Sequence, residues 1–162
     1  MEKKQRQKIV QANTQKPNLP RRRYSLLIRH LDCGSCNACE LELNALTNPI
    51  YDIGQYGIEF VASPRHAYLL AITGIFTRNL VAAAQLTLDA MPTRQIITIG
   101  DCAKDGGDFK NSYAIAKHPE EIEKNVKMHV PGCPPEPIDI LEALRELASN
   151  NMPYTSESHK TN

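Results

Sequence analysis

Three cysteines fall within one short run, Asp32-Cys33-Gly34-Ser35-Cys36-Asn37-Ala38-Cys39-Glu40, at C-x2-C-x2-C spacing. Two more stand alone: Cys102 in Gly100-Asp101-Cys102-Ala103, and Cys133 in Pro131-Gly132-Cys133-Pro134-Pro135. All five sit beside turn-forming residues rather than inside apolar runs. Iron–sulfur centres are held by Cys thiolates, commonly four, often at C-x2-C spacing with a remote Cys followed by Pro. The chain therefore reads as a scaffold that brings Cys102 and Cys133 up to the first cluster to hold such a centre. As singletons, both are needed. The pair drawn from the first cluster stays open: Cys36 with Cys39, Cys33 with Cys39, or Cys33 with Cys36.

Two other chemistries compete. Four-cysteine zinc sites also use C-x2-C, but usually as two such pairs, whereas the remote ligands here are singletons. A thiol–disulfide enzyme has C-x-x-C in an α/β setting, yet leaves Cys102 and Cys133 unexplained. Five cysteines would also leave one over in a framework built of disulfides alone. Gly100, Gly106 and Gly107 match neither phosphate-binding fingerprint. Ser63-Pro64-Arg65-His66 reads as a turn, with Arg65 and His66 either partner contacts or plain surface. Glu40 and Glu42 face different ways on a helix. Either suits a proton relay, and the plainer reading makes both exposed acids.

The elements that position the cysteines follow from hydrophobic patterning. Apolar runs at 24–28, 57–62, 67–72, 95–100 and 126–130 read as strands. The run at 67–72 is continuous, as in a strand buried on both faces. A short helix is expected from Cys39 through Leu46, stopped by Asn48-Pro49. A second follows Thr77 as a candidate cap, with Leu80, Ala83, Ala84 and Leu86 on its apolar stripe, broadened by Val81 and Leu88. Residues 113–117 read as a turn or short helix, and Pro119-Glu120-Glu121 as the opening of a polar stretch. A last helix spans 138–147, with Ile138, Leu141, Ala143 or Leu144, and Leu147 on one face. Strands alternating with helices predict an open parallel α/β sheet. Each cysteine segment follows a strand, so the fold places all of them on one edge, where such sheets bind ligands.

At 162 residues the chain is long enough for one domain with a substantial core. Residues 1–23 hold eight Lys or Arg against one acid, Glu2, on an otherwise acidic chain, and read as a disordered basic arm, 24–149 as the folded domain, and 150–162 as a disordered tail. The arm has no aromatics interleaved with its charges, which speaks against nucleic acid. No apolar segment of secretory type follows the N-terminal charges. The apolar stretch at 67–76 is too short to span a bilayer. The expected location is cytoplasmic, or peripheral to a membrane, where clustered cysteines are more often metal or catalytic sites than disulfides.

The run from Asp32 to Glu42, with Ser63-Pro64-Arg65-His66-Ala67, Gly100-Asp101-Cys102-Ala103 before Gly106-Gly107, and Pro131-Gly132-Cys133-Pro134-Pro135, resembles a known family over 24–147. It looks like the small electron-transferring subunit of group 4 membrane-bound nickel–iron hydrogenases, including formate hydrogenlyase. The homologous B subunit (20 kDa, PSST-type) of respiratory complex I belongs to the same superfamily. The resemblance implies a flavodoxin-like fold with helices on both faces and one [4Fe-4S] cluster, held by Cys36, Cys39, Cys102 and Cys133. Cys33 becomes a near neighbour or alternative ligand, and Glu42 falls at an acidic position shared by both branches. The implied partners are a hydrogenase-like large subunit, a ferredoxin-like iron–sulfur subunit and integral membrane subunits, on the cytoplasmic side of the membrane. Ala38-Cys39 stands where complex I subunits have adjacent cysteines, which favours the hydrogenase-like branch. One spare cysteine is too few for a second four-thiolate cluster.

Overall fold

A computed structural model of the chain describes residues 25–150, so the expectations for the basic arm and the C-terminal tail lie outside the described residues. Five strands form one sheet: β1 (Leu26–Asp32), β2 (Ile58–Phe60), β3 (Leu69–Thr73), β4 (Ile96–Ile99) and β5 (Val126–Val130). Every pairing is parallel, in the order β2-β1-β3-β4-β5. The helices are α1 (Ala38–Ala45), α2 (Val81–Ala90), α3 (Asp101–Asp105), α4 (Glu120–Asn125) and α5 (Pro137–Asn150). This is the doubly wound, flavodoxin-like arrangement that the sequence predicts, with its switch point between β1 and β3.

The period-two geometry of strands divides the core in two. Leu69, Ala71, Ile97, Ile99 and Val130 face α1 and α5, where Leu43, Ile138, Leu141 and Leu144 complete one apolar cluster. Leu70, Ile72 and Ile96 face the other way, against Ala84 and Leu88 of α2 and Ile122 of α4. All five residues of β3 are buried, in keeping with its unbroken apolar run. Strands covered on both faces are the usual state of an all-parallel sheet.

Local expectations shift in three places. Thr77 is not a side-chain cap: Leu80 holds the N-cap position of α2, and the Thr77 hydroxyl donates instead to the Cys33 carbonyl at 3.0 Å. Leu86 leaves the apolar stripe and is 70% exposed, because α2 buries only Ala84 and Leu88. Glu120 and Glu121 open α4 rather than a polar loop, anchored by buried Ile122. Residues 113–117 take the first of the two forms expected, a turn at 113–114, and Ile115 makes an isolated antiparallel bridge with Thr77.

Burial holds the His30, His118 and His129 imidazoles below their ordinary value of 6.5. His118 also lies against the Phe76 ring, with centroids 4.4 Å apart. A histidine favoured neutral in the folded state binds its proton more readily once unfolded. Its contribution to stability is complete above pH 6.5 and is lost as pH falls from there towards the lowered folded value. Thermal unfolding should therefore move to lower temperature as pH drops from neutral to about 5, and His118→Gln should reduce that slope.

Candidate metal centre

Each cysteine segment leaves the carboxyl end of a strand. β1 runs into the first cluster, β4 into Cys102 and β5 into Cys133. Asp32 shapes the first loop: its Oδ1 accepts from the Gly34 and Ser35 N–H groups, both at 2.7 Å. Asn37 then takes a left-handed conformation, φ 71°, and α1 starts at Ala38. Cys39 thus lies in the first turn of α1 and Cys102 in the first turn of α3. Unpaired N–H groups at such starts favour negative charge.

The loop after β4 is fastened to the loop after β5. The Asp101 N–H donates to the Gly132 carbonyl at 2.9 Å, and the Gly132 N–H donates to Asp101 Oδ1 at 2.9 Å. Cys102 and Cys133 are held together by this reciprocal pair. Gly100, at φ +87°, lies so close to Cys39 that a Cβ there would stand 2.7 Å from the Cys39 sulfur. A Cβ on Gly107 would meet the Cys102 sulfur at 3.4 Å. Bare backbone therefore frames the thiols from the β4 side.

The thiols feel one another. Burial pushes the Cys39 thiol up to about 12, helped by negative charge on Glu40, Cys102, Cys36 and Cys133. Burial also raises Cys102, followed by the charge of Cys133 and Cys36. Cys33 is different. It is fully buried in the opposite half of the core, among Leu70, Ile72 and Phe76. Its thiol is pushed to about 12 by burial and then by Asp32. Cys39 belongs to the other half, with Leu43 and Ile99. Strand alternation sends Cys33 away from the remaining thiols.

All five thiols are free, with Cys36 and Cys133 exposed and Cys102 half-buried. Among the described residues, no three His, Cys, Asp or Glu side chains close on a single ion-sized point. The donor chemistry of Cys36, Cys39, Cys102 and Cys133, framed by side-chain-free glycines, fits a thiolate-held iron–sulfur cluster.

The other residues singled out in the sequence fall elsewhere. Arg65 and His66 are exposed on a single helical turn, in a crossover whose ends bond β1 at Ile28 and Leu27. That is the start of β1, while the cysteines follow its end. Glu42 is half-buried, and its charge reaches the Tyr51 hydroxyl. Glu40 is not the exposed acid expected: its side chain is only 13% exposed. It accepts a hydrogen bond from the Thr73 hydroxyl and lies 3.8 Å from His30 Nε2. The sequence reading overlooks Asp32 and Asp101 as organisers: Asp32, two residues before Gly34, has the pattern of an Asx turn, whereas Asp101 acts on Gly132, 31 residues away, and leaves no local mark.

Comparison with known proteins is consistent with this geometry. The profile of the "NADH ubiquinone oxidoreductase, 20 Kd subunit" family matches residues 36–147. Formate hydrogenlyase subunit 7 of Escherichia coli is 38% identical over 114 residues, covering 70% of this chain and 44% of that protein. The chain thus spans less than half the length of that relative. A "probable membrane-bound hydrogenase subunit", mbhJ of Pyrococcus furiosus, is 38% identical over 124 residues and 74% of each chain. A solved structure of the membrane-bound sulfane sulfur reductase, an archaeal respiratory membrane complex, superposes with TM-score 0.63 at 27% identity. That alignment covers 78% of this chain and 72% of the other.

Proposed function

This chain belongs to the NADH ubiquinone oxidoreductase 20 kDa subunit family, and from that premise we propose that it is the electron-transfer subunit of a membrane-associated oxidoreductase complex. Its own contribution is one [4Fe-4S] cluster held by Cys36, Cys39, Cys102 and Cys133. The observation that supports this reading is the convergence of three cysteine loops at the carboxyl edge of the sheet, with the Cys102 and Cys133 loops fastened through Asp101 and Gly132, Gly100 against the Cys39 sulfur, and Cys33 buried beyond them.

When bound, the cluster supplies reversible one-electron transfer. The chain's residues do the rest. Burial of Cys39 against Gly100 and α1 lowers the local dielectric on one side. Exposed Cys36 and Cys133 leave the other side open to a partner. The Asp32 turn and the Asp101–Gly132 pair hold the loops so that the thiols need little rearrangement. Preorganised ligands and their hydrogen-bonded surroundings tune a metal site's potential.

The partners implied are a hydrogenase-like large subunit over the exposed thiols, a ferredoxin-like iron–sulfur subunit, and integral membrane subunits. Arg65 and His66 are assigned to partner contact, and Glu42 to proton handling near the site. No helix among the described residues is long and apolar enough to cross a membrane. The proposed position, peripheral and on the cytoplasmic side, follows from the assignment to a membrane-associated complex. The relatives include a hydrogenlyase subunit, a probable hydrogenase subunit and a sulfane sulfur reductase complex, and on this reading the reaction is assigned to the large subunit.

The test is to tag this chain, purify its complex anaerobically, identify the copurifying subunits, and measure nickel and iron. Iron with a large subunit and membrane subunits supports the reading, and nickel then selects hydrogen chemistry. Iron without nickel selects quinone or sulfur chemistry. A chain that purifies alone and without iron contradicts the reading.

A further inference from the structure

Beside the thiols, on the α1 side of the sheet, lies a small buried polar group that the proposed electron transfer does not use. Glu40 follows Cys39 directly in α1. Its Oε1 accepts from the Thr73 hydroxyl at the end of β3, and that hydroxyl is 2.9 Å from His30 Nε2 on β1. His30 Nε2 is 3.8 Å from the same carboxylate oxygen. Thr73 is fully buried. The second oxygen, Oε2, is buried and has no hydrogen-bond partner among the described residues.

Such an arrangement is costly. A buried acceptor without a donor loses its hydration and gains nothing for it. A charge in low dielectric also acts strongly on its neighbours. Here the neighbour is Cys39, the residue directly before Glu40 in the first turn of α1, and the Glu40 side chain is largely withdrawn from solvent. His30 provides little compensation, because burial favours its neutral form. One donor, from Thr73, fixes the carboxylate in place.

We propose that Glu40, held by Thr73 and His30, is a positioning residue for electron transfer: its fixed negative charge beside Cys39 sets the cluster's reduction potential low. This deepens the proposed function and rests on it. Reduction adds one negative charge to the centre. A carboxylate held nearby raises the energy of the reduced form more than that of the oxidised form. Exposed carboxylates on the same face are screened by water and ions, whereas Glu40 is not.

The experiment is an anaerobic redox titration, followed by electron paramagnetic resonance, of the whole complex purified through a tag on this chain. The signal belonging to this subunit is the one that Cys102→Ser removes. Glu40→Gln and Glu40→Ala should both shift the midpoint of that signal to higher potential with iron content retained. Glu40→Asp, which keeps the charge, should stay near the unaltered value. An unchanged midpoint in Glu40→Gln overturns the proposal, as does an equal shift in Glu40→Asp. Loss of iron from both charge-free variants overturns it too, because a group that only tunes charge is dispensable for assembly. Each of those outcomes leaves the cluster assignment standing. If the unaltered complex lacks the signal altogether, the cluster assignment itself falls, and this inference with it.

Discussion

In the purified complex, Cys102→Ser and Cys133→Ser are each expected to reduce the iron carried by this chain to background, while Cys33→Ala leaves it intact. The contrast follows from which side of the sheet each sulfur occupies. Cys102 and Cys133 lie on loops tied to each other through Asp101 and Gly132, and their charges reach Cys39. A serine hydroxyl is a poor substitute for thiolate at an iron–sulfur centre, and neither segment offers a second cysteine. Cys33 is fully buried beside Ile72 and Phe76, in the other half of the core. Its removal takes away one buried sulfur, and the expected effect is a modest loss of stability, about 1 kcal/mol. A thiol–disulfide enzyme built on C-x-x-C would behave differently, since Cys102→Ser and Cys133→Ser would leave its activity unchanged. Iron analysis and the visible spectrum of the three variants, prepared side by side, separate the two accounts.

The second large effect comes from a residue with no side chain. Gly100→Ala is expected to lower iron content sharply and to destabilise the fold by about 1–3 kcal/mol. Gly100 has φ +87° and ψ 153°, a region of backbone space that residues with a Cβ rarely enter. The new Cβ would also stand 2.7 Å from the Cys39 sulfur and 3.4 Å from the Gly132 carbonyl oxygen. It has no direction in which to yield: one neighbour is the buried sulfur of Cys39, a proposed ligand, and the other belongs to the loop that carries Cys133. Gly54→Ala is the matched control. Its φ is ordinary, and among the described residues the only neighbour its Cβ would meet within 4 Å is an Asp52 oxygen at 3.6 Å. Thermal unfolding and iron content should both stay near those of the unaltered protein in Gly54→Ala and fall together in Gly100→Ala.

Much of the site is legible in the sequence because strand ends and turn residues leave local marks. The apolar runs before Gly100 and Pro131 identify β4 and β5, and with them the edge to which Cys102 and Cys133 are delivered. The parallel sheet follows from the same alternation of buried runs and helices. Choosing among Cys33, Cys36 and Cys39 takes more. Their spacing admits several pairs, and only the alternation of β1 carried into its loop shows Cys33 turned to the far side. The burial of Glu40 leaves no local signal at all, because its donor, Thr73, is 33 residues away in sequence. Thr77 is misleading for a related reason. A threonine before an apolar stripe looks like a helix cap, but a tertiary partner, the Cys33 carbonyl, takes its hydroxyl. Leu86 illustrates the opposite error: α2 is apolar over more of its circumference than the sheet can cover, so one leucine is left in solvent. The helix α4 is short, and a single buried residue, Ile122, is too little periodicity to reveal it.

The central claim is that four thiols at the sheet edge hold an iron–sulfur cluster. It is tested most directly by measuring iron, zinc and acid-labile sulfide on the anaerobically purified chain, together with its visible spectrum before and after reduction. The account predicts iron and sulfide in equal amounts, little zinc, and a broad visible absorption that bleaches on reduction. A colourless preparation with stoichiometric zinc and no sulfide would contradict it, and would identify the same cysteines as the ligands of a structural zinc ion.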